Sequence, residues 1–565
     1  MSARMLTAAA VVAALALPAG ADATAGAVDA RFGTGGLAAT PFGSGARAAA
    51  VALAPDGRLL VAGDVRSAGG ERVLTARFGA TGVLDPTFAP GGGRTDSFGS
   101  GEPGQRARAV LAQADGGTLV AAAAGDQLAL ARLDPDGRLD GLFGAGGVAL
   151  RDPSGGGGVP PGTGPAAIAV MADGRIVVAG SVGVETDDGV PGEQIVVGRT
   201  SDRGVPDPSF GGDGFVVLQL GAASPRAHAA SAARALGVLA DGRIVIAGRA
   251  TSTVGEDRAF VARLTPAGAL DASFAAGGRR LLQLGRASAA RAASSAFEAL
   301  VLEPDGSVLA AGRASDVAGG DAVALTRLGA TGALAARFGR NGTVSSQLGA
   351  GAGDSGPASV ARALVRAPDG AAYIAGAAST GALAARYGSR TGRLDCSFGS
   401  AGRTTPFGSD DFDIETDGIF SAALAPEGLV VAGRRAGGGL LLSRLLVAAL
   451  AAPPVRPRLG TLAPRLDRGG RGRGYAYGLV DGGCRATPVR FELSGPDGRV
   501  RRTAVQRVLA AGGPQVVCAR LRGLRSGRRY RVRVAATGAA GPRGAWRSFR
   551  AGPITGPQRV QEGCV

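Results

Sequence analysis

The sequence predicts an all-β protein: a seven-bladed β-propeller closed by an N-terminal strand, followed by a small β-sandwich. Three observations predict it. First, one pattern recurs seven times, with an acidic-Gly turn at Asp56, Asp115, Asp173, Asp241, Asp305, Asp369 and Glu427. An Arg follows each turn, at Arg77, Arg132, Arg199, Arg263, Arg327, Arg386 and Arg444. Second, each full unit holds about four short apolar stretches separated by Gly-rich turns, the signature of stacked four-stranded blades. Third, a Phe closes six units, at Phe88, Phe143, Phe210, Phe274, Phe338 and Phe398, and the seventh unit stops before reaching one. The missing copy stands at the other end of the chain, in Ala30-Arg31-Phe32-Gly33. Ends that are complementary fragments of one repeat imply a ring.

Residues 1–23 read as a secretory signal peptide. Arg4 precedes an apolar run from Leu6 to Leu17, and Ala21-Asp22-Ala23 is a small-x-small cleavage site. The run is short for a bilayer span, and no later segment predicts a transmembrane helix. The expected location is therefore secreted, extracellular or cell-envelope associated. All 62 basic residues are Arg, which together with the 98 Gly points to a coding bias as well as to chemistry.

Residues 24–447 hold the repeats. In the fourth unit, Ala235 to Leu239, the Asp241-Gly242 turn and Ile244 to Gly248 form a two-residue hairpin signal. Ala259 to Leu264 supplies a third strand and Arg279 to Leu284 a fourth. Arg and Phe stand 11 residues apart in five units and 12 in the sixth, whereas the turn-to-Arg gap runs from 17 (115 to 132) to 26 (173 to 199). In an up-and-down blade this gives one face of constant links and one of variable links. Variable loops on one face mark either a binding face or drift in exposed loops. Gly36 to Phe42 matches a fourth strand and is expected to pair with the segment near 440–445, removing an exposed edge. An Arg and a Phe placed identically in every unit read as structural, since a ligand site breaks such symmetry.

Leu84-Asp85-Pro86-Thr87-Phe88, Pro206-Asp207-Pro208-Ser209-Phe210 and Leu394-Asp395-Cys396-Ser397-Phe398-Gly399 resemble the bacterial delta-60 repeat family over about residues 29–447. Ala335 for the Asp and Ala122 for the hairpin Gly depart from it. The resemblance implies an exported β-propeller and carries no catalytic residues. Residues 448–459 form a linker rich in Ala, Pro and Arg. Residues 460–552 resemble a fibronectin type III β-sandwich, through Val489 to Leu493 and the alternating Tyr530-Arg531-Val532-Arg533-Val534. Leu524 and Tyr530 are similar to that family's tyrosine corner. The resemblance implies adjacent strand ends for Cys484 and Cys518, and hence a disulfide between them. Residues 553–565 are a tail, and Cys564 is a weaker candidate to join Cys396.

The charge is unevenly distributed. From residue 453 onward stand 23 Arg and 5 acidic residues, leaving 39 and 40 of the totals of 62 and 45 for the rest. The C-terminal module is thus strongly basic and the ring nearly neutral. Such a module suits an anionic cell-envelope polymer, or is a solvated surface shaped by coding bias. No specific nucleic-acid motif accompanies it, and aromatics for base stacking are few.

His228 is the only histidine, which leaves a Ser-His-Asp triad or a histidine zinc site nothing else to use. Asp410, Asp411, Asp413, Glu415 and Asp417 crowd one inter-blade loop, where oxygen ligands could hold calcium, the one cofactor considered. Glu185, Asp187, Asp188 and Glu193 crowd another. The function expected is a non-enzymatic binding or scaffold protein whose variable face meets a protein or glycan ligand. The alternative is a carbohydrate-active or other hydrolase using carboxylates on that face.

Overall fold

The computed structural model describes residues 25–39, 42–43, 45–67, 70–99, 105–125, 127–151, 164–185, 191–222, 229–287, 292–315, 320–349, 358–388, 390–400, 402–407, 418–434, 439–447, 458–461, 465–466, 474–481, 487–503, 506–508, 514–521, 524–525, 528–536, 543 and 546–550. Apart from one 3-10 turn at Pro90–Gly92, the regular structure among them is β. Seven four-stranded antiparallel sheets lie between residues 37 and 445. The first comprises Ala46–Leu53, Leu59–Ser67, Gly70–Phe78 and Gly93–Asp96 in that spatial order. The next five repeat this meander. Asp-Gly turns join the first two strands as the sequence predicts: Gly57 adopts φ +84° and the Asp56 carboxylate accepts the Arg58 amide at 3.0 Å. An Asx acceptor followed by a glycine at positive φ makes so short a reversal accessible.

The seventh sheet is assembled from both ends of the repeat region. Gly418–Ala425, Gly428–Arg434 and Leu440–Leu445 are followed in space by Leu37–Ala39, with Leu37 opposite Ser443 and Ala39 opposite Leu441. The N-terminal segment thereby covers the edge that Leu440–Leu445 would otherwise expose.

The first strands of the sheets are Ala46–Leu53, Arg106–Ala112, Gly164–Val170, Ser231–Val238, Ser295–Leu302, Ser359–Arg366 and Gly418–Ala425. Each packs on the first strand of the next sheet, and the seventh packs on the first. The cores lie between sheets. One joins Phe32, Leu74 and Phe78 with Val430 and Leu442.

The repeated Phe residues make the joints. All seven, Phe32 included, are at most 2% exposed. The main-chain N–H after each Phe donates to a carbonyl just ahead of a glycine in the next sheet: Ala89 to Asp136, Gly144 to Arg203, Gly211 to Ala267, Ala275 to Thr331 and Gly339 to Thr391. Gly399 donates to Ala25 and Gly33 to Thr81, so the N-terminal fragment takes part in two joints of the same kind. The glycine itself is obligatory at such a joint. Gly82 has φ +80°, and a Cβ there would stand 2.9 Å from the Phe32 ring.

The repeated Arg completes several of the joints. Arg77 donates from Nε to Asp85 at 2.7 Å, from Nη1 to the Pro135 carbonyl of the next sheet at 2.5 Å, and lies 4.7 Å from the Phe88 centroid. Arg263 does the same with Asp271, Ala330 and Phe274, and Arg199 with Asp207, Pro266 and Phe210. Where Ala335 replaces the Asp, the turn persists through its backbone, Ala335 N–H donating to the Arg327 carbonyl at 2.9 Å.

Beyond residue 458 two further sheets form. Gly474–Asp481 pairs with Arg458–Thr461, Arg465–Leu466 and Pro514–Leu521. Thr487–Ser494 pairs with Val500–Arg502, Gln506–Val508 and Arg529–Ala536, and the last of these with Arg547–Arg550. The buried Tyr530 hydroxyl accepts the Arg525 amide at 2.8 Å, beside buried Leu524. No helix among the described residues is long and apolar enough to cross a membrane.

Candidate functional site

Each of the seven first strands carries one extra residue. The register with the second strand slips between Ala48 and Ala50, Ala107 and Ala109, Pro165 and Ala167, Ala233 and Ala235, Phe297 and Ala299, Ala361 and Ala363, and Ile419 and Ser421. A bulge leaves its residue outside the ladder and re-aims the side chain. An Ala-Gly pair recurs in the second strand of the sheets, from Ala62-Gly63 to Ala432-Gly433, and its Gly makes room for the bulge. At Gly63 a Cβ would stand 1.8 Å from the Arg47 carbonyl oxygen, and at Gly248 1.9 Å from that of Ala232. In the second sheet Ala122 occupies this place and the bulge is retained.

The seven bulged residues are Ala49, Arg108, Ala166, Arg234, Glu298, Arg362 and Phe420. They occupy equivalent positions on first strands that each pack on the next. Arg108 and Arg234 are exposed, with no hydrogen bond or carboxylate partner among the described residues. Arg108 meets solvent yet is walled in by protein. That enclosure lowers its guanidinium pKa from the usual value, and the positive charges of Arg106 and Arg234 add to the effect. Arg362 lies over the Phe420 ring, 4.6 Å from its centroid. Glu298 approaches Arg313 at 4.0 Å.

A belt of ion pairs surrounds these residues. Arg47 binds Asp64 at 2.8 Å, and Arg106 reaches across from the second sheet to Glu71 at 2.6 Å. Arg106, helped by Arg66, holds the Glu71 carboxyl at about 2 despite its burial. Arg249 pairs with Glu193 of the preceding sheet and with Asp257, and Arg313 with Asp321. A pocket lined by Gly45, Arg47, Asp64, Arg66 and Arg434 opens between the first and seventh sheets.

The sequence-derived candidates fall elsewhere. Asp410, Asp411, Asp413, Glu415 and Asp417 lie outside the described residues, as do Asp187, Asp188 and His228. Of the second acidic cluster, Glu193 is engaged with Arg249. Cys484 and Cys564 also lie outside the described residues, Cys518 sits in a strand opposite Tyr477, and Cys396 is disulfide-bonded. The bulged ring was missed because sequence reasoning attended to invariant positions. Its signal was nonetheless regular: each bulged residue stands seven before the turn acid, as Arg108 does before Asp115 and Arg234 before Asp241.

Three stretches, residues 54–88, 239–274 and 303–343, match the family model described as "Domain of unknown function (DUF5122) beta-propeller". The first two run from the first hairpin through the Asp-x-x-Phe turn. Together with the repeated four-stranded sheets, the match supports a β-propeller protein. No curated protein matches the chain. Among solved structures, Drosophila Plexin A in complex with Semaphorin 1b is 11% identical, with 75% of this chain and 88% of that chain covered and a TM-score of 0.35. The Penicillium chrysogenum α-L-arabinanase complexed with arabinobiose is 10% identical, with 76% and 98% covered and a TM-score of 0.31. The sucrose-6-phosphate hydrolase from Lactobacillus gasseri is 10% identical, with 80% and 83% covered and a TM-score of 0.24.

Proposed function

We propose that the seven sheets are the blades of one closed propeller, sealed by Leu37–Ala39, and that the chain is an exported, non-enzymatic binding or scaffold protein. The delta-60 repeat and fibronectin-like readings belong to the same proposal, with the basic module holding the protein at an anionic envelope polymer. One contrast carries the functional reading. The positions filled alike from blade to blade are spent in joints, whereas the bulged position varies as Ala, Arg, Ala, Arg, Glu, Arg and Phe. A symmetric frame with an asymmetric lining is what selective recognition by a ring of repeats requires.

The Arg-paired carboxylates around that lining favour binding over hydrolysis. Asp64, Glu71, Glu193, Asp257 and Asp321 are each bound by Arg, and Glu71 is held at about 2. A general acid needs its pKa raised towards the working pH. The test is a glycan and protein array probed with the mature chain, with and without calcium, alongside an assay for released sugar ends. Retention of a ligand without product supports the binding reading. Product release that persists through purification and falls in Glu298→Gln would establish the hydrolase instead.

A further inference from the structure

We infer that the centre of the ring, at the level of the bulges, is a binding site for a small polyanion bearing at least two phosphate or carboxylate groups, gripped by Arg108 and Arg234. The inference rests on the closed-ring reading above, which makes the bulged residues the lining of one channel.

Three independent features carry it. The cations are unpaired: Arg108 and Arg234 make no ion pair or hydrogen bond among the described residues, Asp64 acting on Arg108 only from a distance, whereas the neighbouring Arg47, Arg106, Arg249 and Arg313 all pair with acids. Like charges held together in an enclosure are unfavourable unless an anion joins them. The placement brings two cations to bear on one ligand. Arg108 and Arg234 belong to the second and fourth sheets, the bulged residue of the sheet between them is the small Ala166, and the charge of Arg234 is felt at Arg108. The ring also has a polarity. Glu298, its one carboxylate, follows Arg234 on the next sheet and lies 4.0 Å from Arg313, while Arg362 on the sixth sheet lies over the Phe420 ring. An Arg fork recognises phosphate or carboxylate oxygens two at a time, which a Lys cannot do.

Binding is measured by isothermal titration calorimetry on the full mature chain at low ionic strength, with tripolyphosphate in one arm and citrate in the other. The expected result is one saturable site in at least one arm, weakened ~10-fold or more in Arg108→Gln/Arg234→Gln, the loss expected for charge-assisted hydrogen bonds. Arg108→Lys should recover only part of the affinity. The control Arg529→Gln/Arg543→Gln, which removes exposed charge from the basic module, should bind as the parent does. Amide exchange at Leu37–Ala39 is read on the same samples. With that strand protected, absence of binding in both arms, or loss in the module variant rather than the channel variant, overturns the anion site alone. An unprotected strand overturns the closed ring and the anion site with it.

Discussion

Arg444 and Asp29, 415 residues apart in sequence, form a buried ion pair in which both Nε and Nη2 of Arg444 donate to one carboxylate oxygen, at 3.0 and 2.7 Å. Arg444 closes the seventh unit's third strand, and Asp29 heads the fragment that carries Phe32. The pair reproduces across the chain ends what Arg77 and Asp85 make within one unit. Arg444 also donates to the Ala80 carbonyl of the first sheet at 2.8 Å and lies 5.2 Å from the Phe32 centroid. The ends of the repeat region are thus tied by the device that Arg77, Arg199 and Arg263 make elsewhere, and a single joint there should matter to the whole.

Removing Asp29 should therefore cost more than removing an exposed acid. Asp29 is 3% exposed and Arg444 5%, so Asp29→Ala leaves a buried guanidinium with no carboxylate nearer than Glu427 at 3.9 Å. The expected loss is about 3–5 kcal/mol. Urea unfolding should show it, with Asp136→Ala, in an exposed turn, changing stability by less than about 0.5 kcal/mol. Equal midpoints for the two variants would contradict the assigned role.

Acid should loosen the same joints. The Asp29 carboxyl is lowered to about 2, first by its bond from Arg31 and then by Arg444, against the opposing effect of burial. Asp271 is also lowered to about 2, chiefly by Ser273 and then by Arg263, again against burial. Both have folded values below the unfolded one. Their contribution is complete above the ordinary carboxylate pKa of 3.8 and is lost as pH falls from there through about 2. Thermal midpoints should be flat above about pH 5 and drop steeply between about pH 4 and 2. A midpoint that rises on acidification would have the opposite sign.

The turn glycine facing Phe32 provides a purely steric test. Gly82→Ala must place a Cβ 2.9 Å from two ring carbons while holding φ at +80°. Strain at φ costs about 1 kcal/mol and displacement of a buried ring adds to it, so about 2–3 kcal/mol is expected. Gly57→Ala shares the positive φ, +84°, but meets nothing within 4 Å. The difference between the two variants in chemical denaturation isolates the packing part of the effect.

How much of this was legible beforehand follows from what repetition reveals. Arg77 and Phe88 recur at nearly fixed spacing because one joint is built again and again, and counting copies marked the two as structural and found the displaced seventh Phe, Phe32. The partner carbonyls, such as Pro135, were not legible, since a backbone acceptor leaves no residue signature. The Ala-Gly pair was visible as a pattern, but its reason was not: Gly63 makes room for a bulge on another strand, a contact that only three-dimensional pairing shows. Arg108 and Arg234 escaped for the opposite reason to Phe32. They sit at a fixed offset from the turn, but their identities change from unit to unit.

The C-terminal sheets offer a separable prediction. Tyr530 is 3% exposed, and its hydroxyl accepts the Arg525 amide at 2.8 Å, tying the loop ahead of Arg529–Ala536 to that strand. Tyr530→Phe keeps the buried ring and deletes only the hydroxyl, leaving the Arg525 amide without its acceptor. The expected cost is about 1–2 kcal/mol. Because the bond from Arg525 lies within this module, the loss should be confined there. Hydrogen exchange should speed up at Arg525 and along Arg529–Ala536 while protection at Leu37–Ala39 is unchanged. Uniform acceleration in both regions would show instead that the two parts unfold as one cooperative unit.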